Sequence, residues 1–276
     1  MAAVSMAAVK ELRERLGAGM VDSKNALVEA DGDIEKAIEI LRLKGLKGVA
    51  KREGREASEG LVAVAQRDGA ATLIELVCET DFVAKNEKFL ALGDKVLAAV
   101  ADAGAKTLEE ALAAPLENGT VESAITDESA IIGEKIQLRR VVVVEAPSTA
   151  VYLHRTSKDL PPQIGVIVGY EGADEKVATS IAQHISFAEP LYVSREEVPQ
   201  ADVDKERDIV TEISKNEGKP EAALPKIIEG RLNAFFKQIV LSEQEHALDS
   251  EKRSVAKVAE AAGIVVTGFA RGKVGA

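Results

Sequence analysis

Glu79-Thr80-Asp81-Phe82-Val83-Ala84-Lys85 sets a large aromatic among polar neighbours at the point where an apolar strand gives way to a helix. Upstream, Ala71 to Cys78 is rich in β-branched and apolar residues and reads as a strand. Downstream, Ala84 to Val100 repeats apolar positions at helical spacing. Phe82 therefore falls at or beside a helix start. Thr80 or Asp81 can cap the free N–H groups there, and the Asp81 carboxylate suits the positive end of the helix dipole. The residues alone favour a hydrophobic staple, with Phe82 folded back onto its own helix, and leave a protruding probe as the second reading.

Working back from this junction, Val4 to Leu16 places Val9, Leu12 and Leu16 on one helical face. Gly17-Ala18-Gly19 breaks that helix, Val21 to Ala30 starts a second, and Ile34 to Leu43 supplies a third. Asp31-Gly32-Asp33 is a tight turn whose Asp33 can cap the third helix. A three-helix unit over residues 1–44 follows. Gly45 and Gly48 then predict a loose basic linker over 45–59, carrying Lys47, Lys51, Arg52 and Arg55, and a local docking patch is the alternative use of that charge.

Working forward, Gly60 to Gln66 and Ala71 to Cys78 flank Asp68-Gly69, a strong hairpin signal. A helix, an Ala-rich charged region and a strand ending in Val141 to Val144 complete a first α+β half over 60–146. The order strand, strand, helix recurs over Ala150 to His154, Gln163 to Tyr170 and Ala173 to Phe187, which suggests a second, related half over 147–276. Within it, Val203 to Lys215 and Glu221 to Leu241 pattern as a helical hairpin at about 200–241, turned by Asn216-Glu217-Gly218-Lys219-Pro220. Ser254 to Ala262 and Ile264 to Ala270 close the chain as helix and strand. The fold class is α+β with antiparallel sheets.

The 276 residues carry a formal charge of −11, which argues against general affinity for nucleic acid, whose phosphates demand a positive surface. No apolar run reaches the ~20 residues of a membrane span and the N-terminus lacks the features of a signal peptide, so a cytoplasmic location and a protein partner are expected. The single cysteine, Cys78, excludes an internal disulfide and reads as a small buried hydrophobe. His154, His184 and His246 lie far apart without metal-site spacing and read as structural or exposed, so neither a metal nor a cofactor is expected. Gly17-Ala18-Gly19 follows a helix and lacks the Lys-Ser/Thr of a phosphate loop. No carboxylate pair is marked out as acid and base.

Several segments, in order along nearly the whole chain, resemble the bacterial elongation factor Ts family. They are Val9-Lys10-Glu11-Leu12-Arg13-Glu14-Arg15-Leu16-Gly17-Ala18-Gly19-Met20, Asp22-Ser23-Lys24-Asn25-Ala26-Leu27 and Thr80-Asp81-Phe82-Val83-Ala84-Lys85. Ile132-Gly133-Glu134-Lys135, Arg139-Arg140-Val141, Gly218-Lys219-Pro220 and Glu229-Gly230-Arg231-Leu232 with Phe235-Phe236 follow in register. The resemblance implies a three-helix domain like those that bind ubiquitin, then a core of two related α+β halves with an inserted helical hairpin. It implies a guanine-nucleotide exchange factor, not an enzyme in its own right, for elongation factor Tu in its GDP-bound and nucleotide-free forms. In that reading Thr80, Asp81, Phe82 and Val83 enter the GTPase near its Mg²⁺ and phosphates. Partner contacts are implied for Leu12, Arg13, Met20 and Lys24 in the helical unit, for Ile132 and Gly133 in the first half, and for His154 in the second.

Three departures from the family pattern carry expectations. The chain ends at Ala276, so a C-terminal extension that also touches the GTPase in many members is expected to be missing. Gly272 stands where the pattern prefers an apolar residue and predicts weakened pairing of the last strand. Ser23 replaces a frequent Cys, a change expected to be tolerated. Ile209, Ile213, Leu224, Ile227 and Ile228 on the hairpin suffice to bury a seam or to meet a second copy in a homodimer. Two other classes stay open. A non-catalytic interaction module would leave Asp81 and Phe82 without a purpose, and a metabolic enzyme with a dispersed site would account for the core alone.

Overall fold

The computed structural model describes residues 5–16 and 20–275, and within these nothing is described of the side chains of residues 13–16, 46, 47 and 50. The break read at Gly17-Ala18-Gly19 lies outside the described residues. Helices α1 (Met6–Leu16), α2 (Met20–Glu29) and α3 (Ile34–Arg52) pack around Val9, Leu12, Ala26, Leu27, Ala30 and Ala37. The tight turn forms as read: Asp31 and Gly32 both take positive φ, and Asp33 Oδ1 accepts a hydrogen bond from Lys36 N at 3.1 Å to cap α3.

α3 does not end near Leu43. It runs through Gly45 and Gly48 to Arg52, so the predicted loose linker is in large part helix. The reason is tertiary: a Cβ on Gly45 would lie 2.7 Å from Ala130 Cβ, so glycine is what lets α3 lie this close to the helix that bears Ala130. Its basic residues engage neighbouring helices rather than solvate a linker. Arg42 pairs with Asp127 at 2.6 Å, Arg52 donates to the Ser129 carbonyl at 3.0 Å, and Lys44 pairs with Glu29 at 2.5 Å.

Beyond α3 come β1 (Glu59–Arg67), β2 (Ala70–Cys78), α4 (Asp81–Ala84), α5 (Glu87–Ala103), α6 (Leu108–Ala113), the two-residue strands β3 (Pro115–Leu116) and β4 (Gly119–Thr120), α7 (Val121–Ile132) and β5 (Ile136–Glu145). The second half contains β6 (Ser148–His154), β7 (Ile164–Glu171), α8 (Glu175–Ala188), the hairpin helices α9 (Gln200–Asn216) and α10 (Leu224–Ile239), α11 (Val255–Ala261) and β8 (Val265–Lys273). The two main sheets share one plan. A hairpin forms first, and a strand arriving after the helices pairs with its second member, giving the antiparallel orders β1-β2-β5 and β6-β7-β8. Each late strand carries one extra residue, Arg139 in β5 and Thr267 in β8. In β5 that extra residue aims its guanidinium at the buried Glu75, 3.3 Å away, and at the Ala57 carbonyl; burial raises the Glu75 carboxyl from its ordinary value.

Strand alternation sorts the core into layers. Leu61, Ile74, Leu76, Cys78, Ile136 and Leu138 meet Phe89, Val96, Val100, Val121 and Ile125 on the helices of the first half. The opposite face, with Val62, Ala71, Leu73 and Val144, meets Ile167 and Ala270 of the second sheet. That sheet's far side, with Val166, Val168 and Tyr170, packs on Ile181 and Ile185 of α8. The sheets thus stack face to face with helices outside. In the hairpin, Val203, Val210, Ser214 and Leu232 are buried, while Ile209 and Ile213 each stay 43% exposed. The hydrophobic positions read from the sequence only partly fill the seam.

Gly272 strengthens the architecture where the sequence suggested a weakness. It pairs with Gly165 across β7 and β8, and a Cβ on it would come within 2.8 Å of Leu73 Cδ2. Gly165 is tighter still, its would-be Cβ 2.5 Å from Val62 Cγ1. This glycine pair is where the second sheet rests on the first. Gly272→Val is expected to destabilise the protein by about 1–3 kcal/mol through overpacking; an unchanged or raised urea midpoint would refute that account. Ser23 is fully buried and, among the described residues, has no partner for its Oγ. Ser23→Ala should therefore stabilise the helical unit by about 1 kcal/mol in the same measurement, because it removes an unsatisfied hydroxyl at nearly constant shape.

Candidate functional site

The strand-to-helix junction forms a small, heavily laced turn. Thr80 is extended, and its Oγ1 accepts from Val83 N at 3.4 Å as the N-cap of α4. The helical pattern read from Ala84 onward is interrupted after one turn, because Asn86 Oδ1 accepts from Lys88 N at 2.8 Å and caps α5 as a separate helix. Below the turn, Val83 and Ala84 are buried against the Phe89 and Leu76 core. The Cys78 thiol donates to the Thr80 carbonyl at 3.3 Å and is pushed up to about 12 by burial, then by the nearby Glu134 and Glu59 carboxylates, which makes it a buried hydrophobe rather than a nucleophile.

Phe82 points the other way. It is 80% exposed, which overturns the staple reading. It occupies the second position of α4 rather than either end of a staple, and the side chain beside it is Lys85, whose ammonium lies 5.7 Å from the ring centroid. Lys85 also pairs with Asp81 at 2.7 Å, and that hydrogen bond holds the Asp81 carboxyl below its ordinary value. Of the four residues read as the exchange segment, Asp81 and Phe82 face outward. Val83 is a buried anchor, and Thr80 is engaged by its neighbours.

Ile132 and Gly133 stand beside this turn. Gly133 ends α7 in the left-handed conformation with φ 86°, and the chain reverses so that Glu134 meets Thr80 and Lys135 meets Glu79. Leu160, in the loop between β6 and β7, packs against the same core cluster as Val83. His154 closes β6 as an exposed ring whose Nδ1 lies 3.1 Å from the Tyr152 hydroxyl. It borders a cleft of about 310 Å³ lined also by Ile164, Gln183, Phe187 and Leu248.

The helical unit separates its assigned residues. Leu12 is fully buried in that unit's core and presents no side-chain surface in the free chain. The Arg13 side chain lies outside the described residues. Met20 and Lys24 are exposed on α2, and Val21 and Val28 join them on one face of that helix, each exposed for a large apolar side chain. Val21 and Val28 went unremarked in the sequence, although their helical spacing from Met20 and Lys24 was there to find.

The sequence model of the family described as Elongation factor TS matches residues 79–276, beginning at the first residue of the laced turn. The chain belongs to the elongation factor Ts family. It is 68% identical over 276 residues to elongation factor Ts of Clavibacter michiganensis subsp. michiganensis, with all of both chains covered. It is 63% identical to that of Leifsonia xyli subsp. xyli and 54% identical to that of Micrococcus luteus, again with all of each chain covered. Elongation factor Ts is thus a translation elongation factor family whose members match this chain across the helical unit as well as the core.

Among the described residues, this elongation factor Ts chain has no helix long and apolar enough to cross a membrane, and no group of three or more His, Cys, Asp or Glu placed to hold a metal. Two histidines that lie far apart in sequence nevertheless meet. His184 and His246 stack with centroids 5.5 Å apart and both are buried. Each Nδ1 accepts a backbone N–H, from Ala247 and Leu248 respectively, each at 3.3 Å; Nε2 reaches Gln244 Oε1 in His184 and Ser180 Oγ in His246. These are the contacts of two neutral rings, and burial lowers both from their ordinary value of 6.5.

As pH falls below that ordinary value, the unfolded chain binds protons that the folded chain refuses, so this pair's contribution to stability is lost over that window and is complete above it. Glu75 and Glu128, raised by burial, act in the opposite sense at lower pH, so a comparison of variants isolates the pair. The urea midpoint is expected to fall more between about pH 7.5 and about pH 5.5 in the parent than in His184→Asn/His246→Asn. Equal falls would remove the histidines as the cause.

Proposed function

We propose that this chain is the guanine-nucleotide exchange factor of elongation factor Tu, docking on the GDP-bound GTPase and releasing its nucleotide by inserting Asp81 and Phe82 beside the Mg²⁺ and phosphates. The observation that carries this reading is Phe82 itself, an aromatic held 80% exposed on a turn whose underside is locked into the core. An aromatic presented this way in the elongation factor Ts family is suited to enter a partner, and the carboxylate next to it is suited to disturb a partner's cation. The Met20, Val21, Lys24 and Val28 face of α2 supplies the grip of the helical unit, in the manner of the three-helix domains that bind ubiquitin. Ile132, Gly133 and His154 supply contacts from the two core halves. The chain performs no covalent chemistry and holds no nucleotide of its own, and the cytoplasm, where elongation factor Tu works, is its place.

Magnitudes set the division of labour. Burying one Phe is worth ~2–3 kcal/mol and each 1.36 kcal/mol of barrier is about tenfold in rate, so Phe82 accounts for at most roughly a hundredfold. The remaining acceleration comes from the grip that holds the distorted GTPase. Linkage then makes the two ligands antagonists: GDP weakens factor binding by the factor by which the protein weakens GDP, so nucleotide-free elongation factor Tu binds best.

Release of a fluorescent GDP analogue from elongation factor Tu, mixed rapidly with saturating protein, tests the reading. The parent is expected to accelerate release strongly. Phe82→Ala should slow the saturating rate by up to about a hundredfold while affinity for nucleotide-free elongation factor Tu changes much less. Absence of acceleration by the parent would overturn the function, and equal losses of rate and affinity would reduce Phe82 to an anchor.

A further inference from the structure

A four-residue helix does not hold itself, because nucleating a first turn fixes several dihedrals for one hydrogen bond. Something else keeps α4 in the shape that presents Phe82. The structure assigns that task to Glu134, which we propose as a positioning residue for nucleotide exchange; the proposal rests on the exchange reading above.

Its carboxylate takes Thr80 with both oxygens. Oε2 accepts from Thr80 N at 3.0 Å and Oε1 accepts from Thr80 Oγ1 at 2.7 Å. Since the Thr80 hydroxyl donates to Glu134, its lone pairs are turned to Val83 N, and one carboxylate thus orients the N-cap of the turn. Glu134 is itself held, its carbonyl accepting from Ser129 Oγ at 2.5 Å. The neighbouring residues repeat the pattern in reverse: Glu79 Oε1 accepts from Lys135 N at 2.6 Å and Glu79 Oε2 pairs with Arg55 at 3.2 Å. Lys135 Nζ in turn donates to the carbonyls of Glu53 and Arg55 at 2.8 and 3.0 Å. The segment that follows α3, the Phe82 turn and the Ile132-Gly133 corner are therefore fastened to one another at Glu79 and Glu134.

Thr80 N–H loses its partner when Glu134 is shortened, and the turn gains conformations in which Phe82 is not presented. Docking then has to order the turn as well as bury the ring. The consequence is specific. Loss of Glu134 lowers the rate at saturation through the turn that carries Asp81 and Phe82, and has no route to the nucleotide site except through that turn.

The test compares parent, Glu134→Ala, Phe82→Ala and the double variant in GDP-analogue release from elongation factor Tu, as a function of protein concentration. Glu134→Ala is expected to lower the saturating rate by about tenfold, with a smaller change in the concentration giving half of it. Glu134→Ala should slow Phe82→Ala by much less than it slows the parent, the remainder being the share carried by Asp81, a non-additivity that mere weakening of the fold does not produce. Glu134→Gln, which keeps one acceptor oxygen for Thr80, should fall between parent and Glu134→Ala. Thr80→Val, which removes the hydroxyl alone, carries the same double-variant test where Glu134→Ala does not fold. Multiplicative losses in the double variant, or a saturating rate unchanged by Glu134→Ala, would overturn the proposal while leaving the exchange function standing. A parent that fails to accelerate release would instead remove the function on which the proposal rests.

Discussion

The antiparallel register of β5 on β2 is the constraint from which the rest of this molecule follows. With Cys78 opposite Ile136, the residues that run off the ends of the two strands must meet, and Glu79-Thr80 faces Glu134-Lys135. A slip of β5 by one residue would turn Ile136 and Leu138 out of the helix-facing core and part Thr80 from its carboxylate. Core packing and site geometry are therefore one requirement. The extra residue at Arg139 lets the strand keep both, because it absorbs a change of phase between the end of β5 that serves the turn and the end that lies against the second sheet.

Everything beyond that sheet is attached by close approach rather than by charge. The ion pairs along α3 and Arg55 are largely exposed, and pairs of that kind contribute little individually. Gly45 against Ala130 and the Gly165–Gly272 pair against the Val62 and Leu73 side chains do more, because each lets a backbone come closer to its neighbour than an added methyl group would allow without a shift. The helical unit and the second half are thereby seated on a common platform, which places the α2 face and His154 in fixed relation to Phe82.

The sequence was most legible where the signal is local. Asp68-Gly69 announces the β1–β2 hairpin, the Asp33 cap announces α3, and the apolar, β-branched run Ala71 to Cys78 announces a strand. It misled where a distant partner decides. Gly45 and Gly48 are helix-weakening by propensity, and only the surface of α7 explains why α3 continues through them. Gly272 looked like a missing side chain until the second sheet was seen to need the space. His184 and His246 carry no spacing that predicts their stack, since the contact is made through Gln244 and the segment that returns to α8. Glu134 was visible as part of a motif, but its bond to Thr80 is a consequence of strand register, which no local pattern encodes.

Phe82 shows why rigidity matters at such a site. A flexible turn would let the ring fold onto the nearest apolar surface and satisfy its hydrophobicity at home, leaving little to gain at a partner. Here both sides of the turn are committed: Val83 and Ala84 are already buried, and Thr80 is held by Glu134. The ring has nowhere else to go, and Lys85 beside it keeps a charged group at the edge of the apolar surface. A net charge of −11 favours solubility in a chain that exposes this ring. The free energy of burying the ring is thus not realised within this chain.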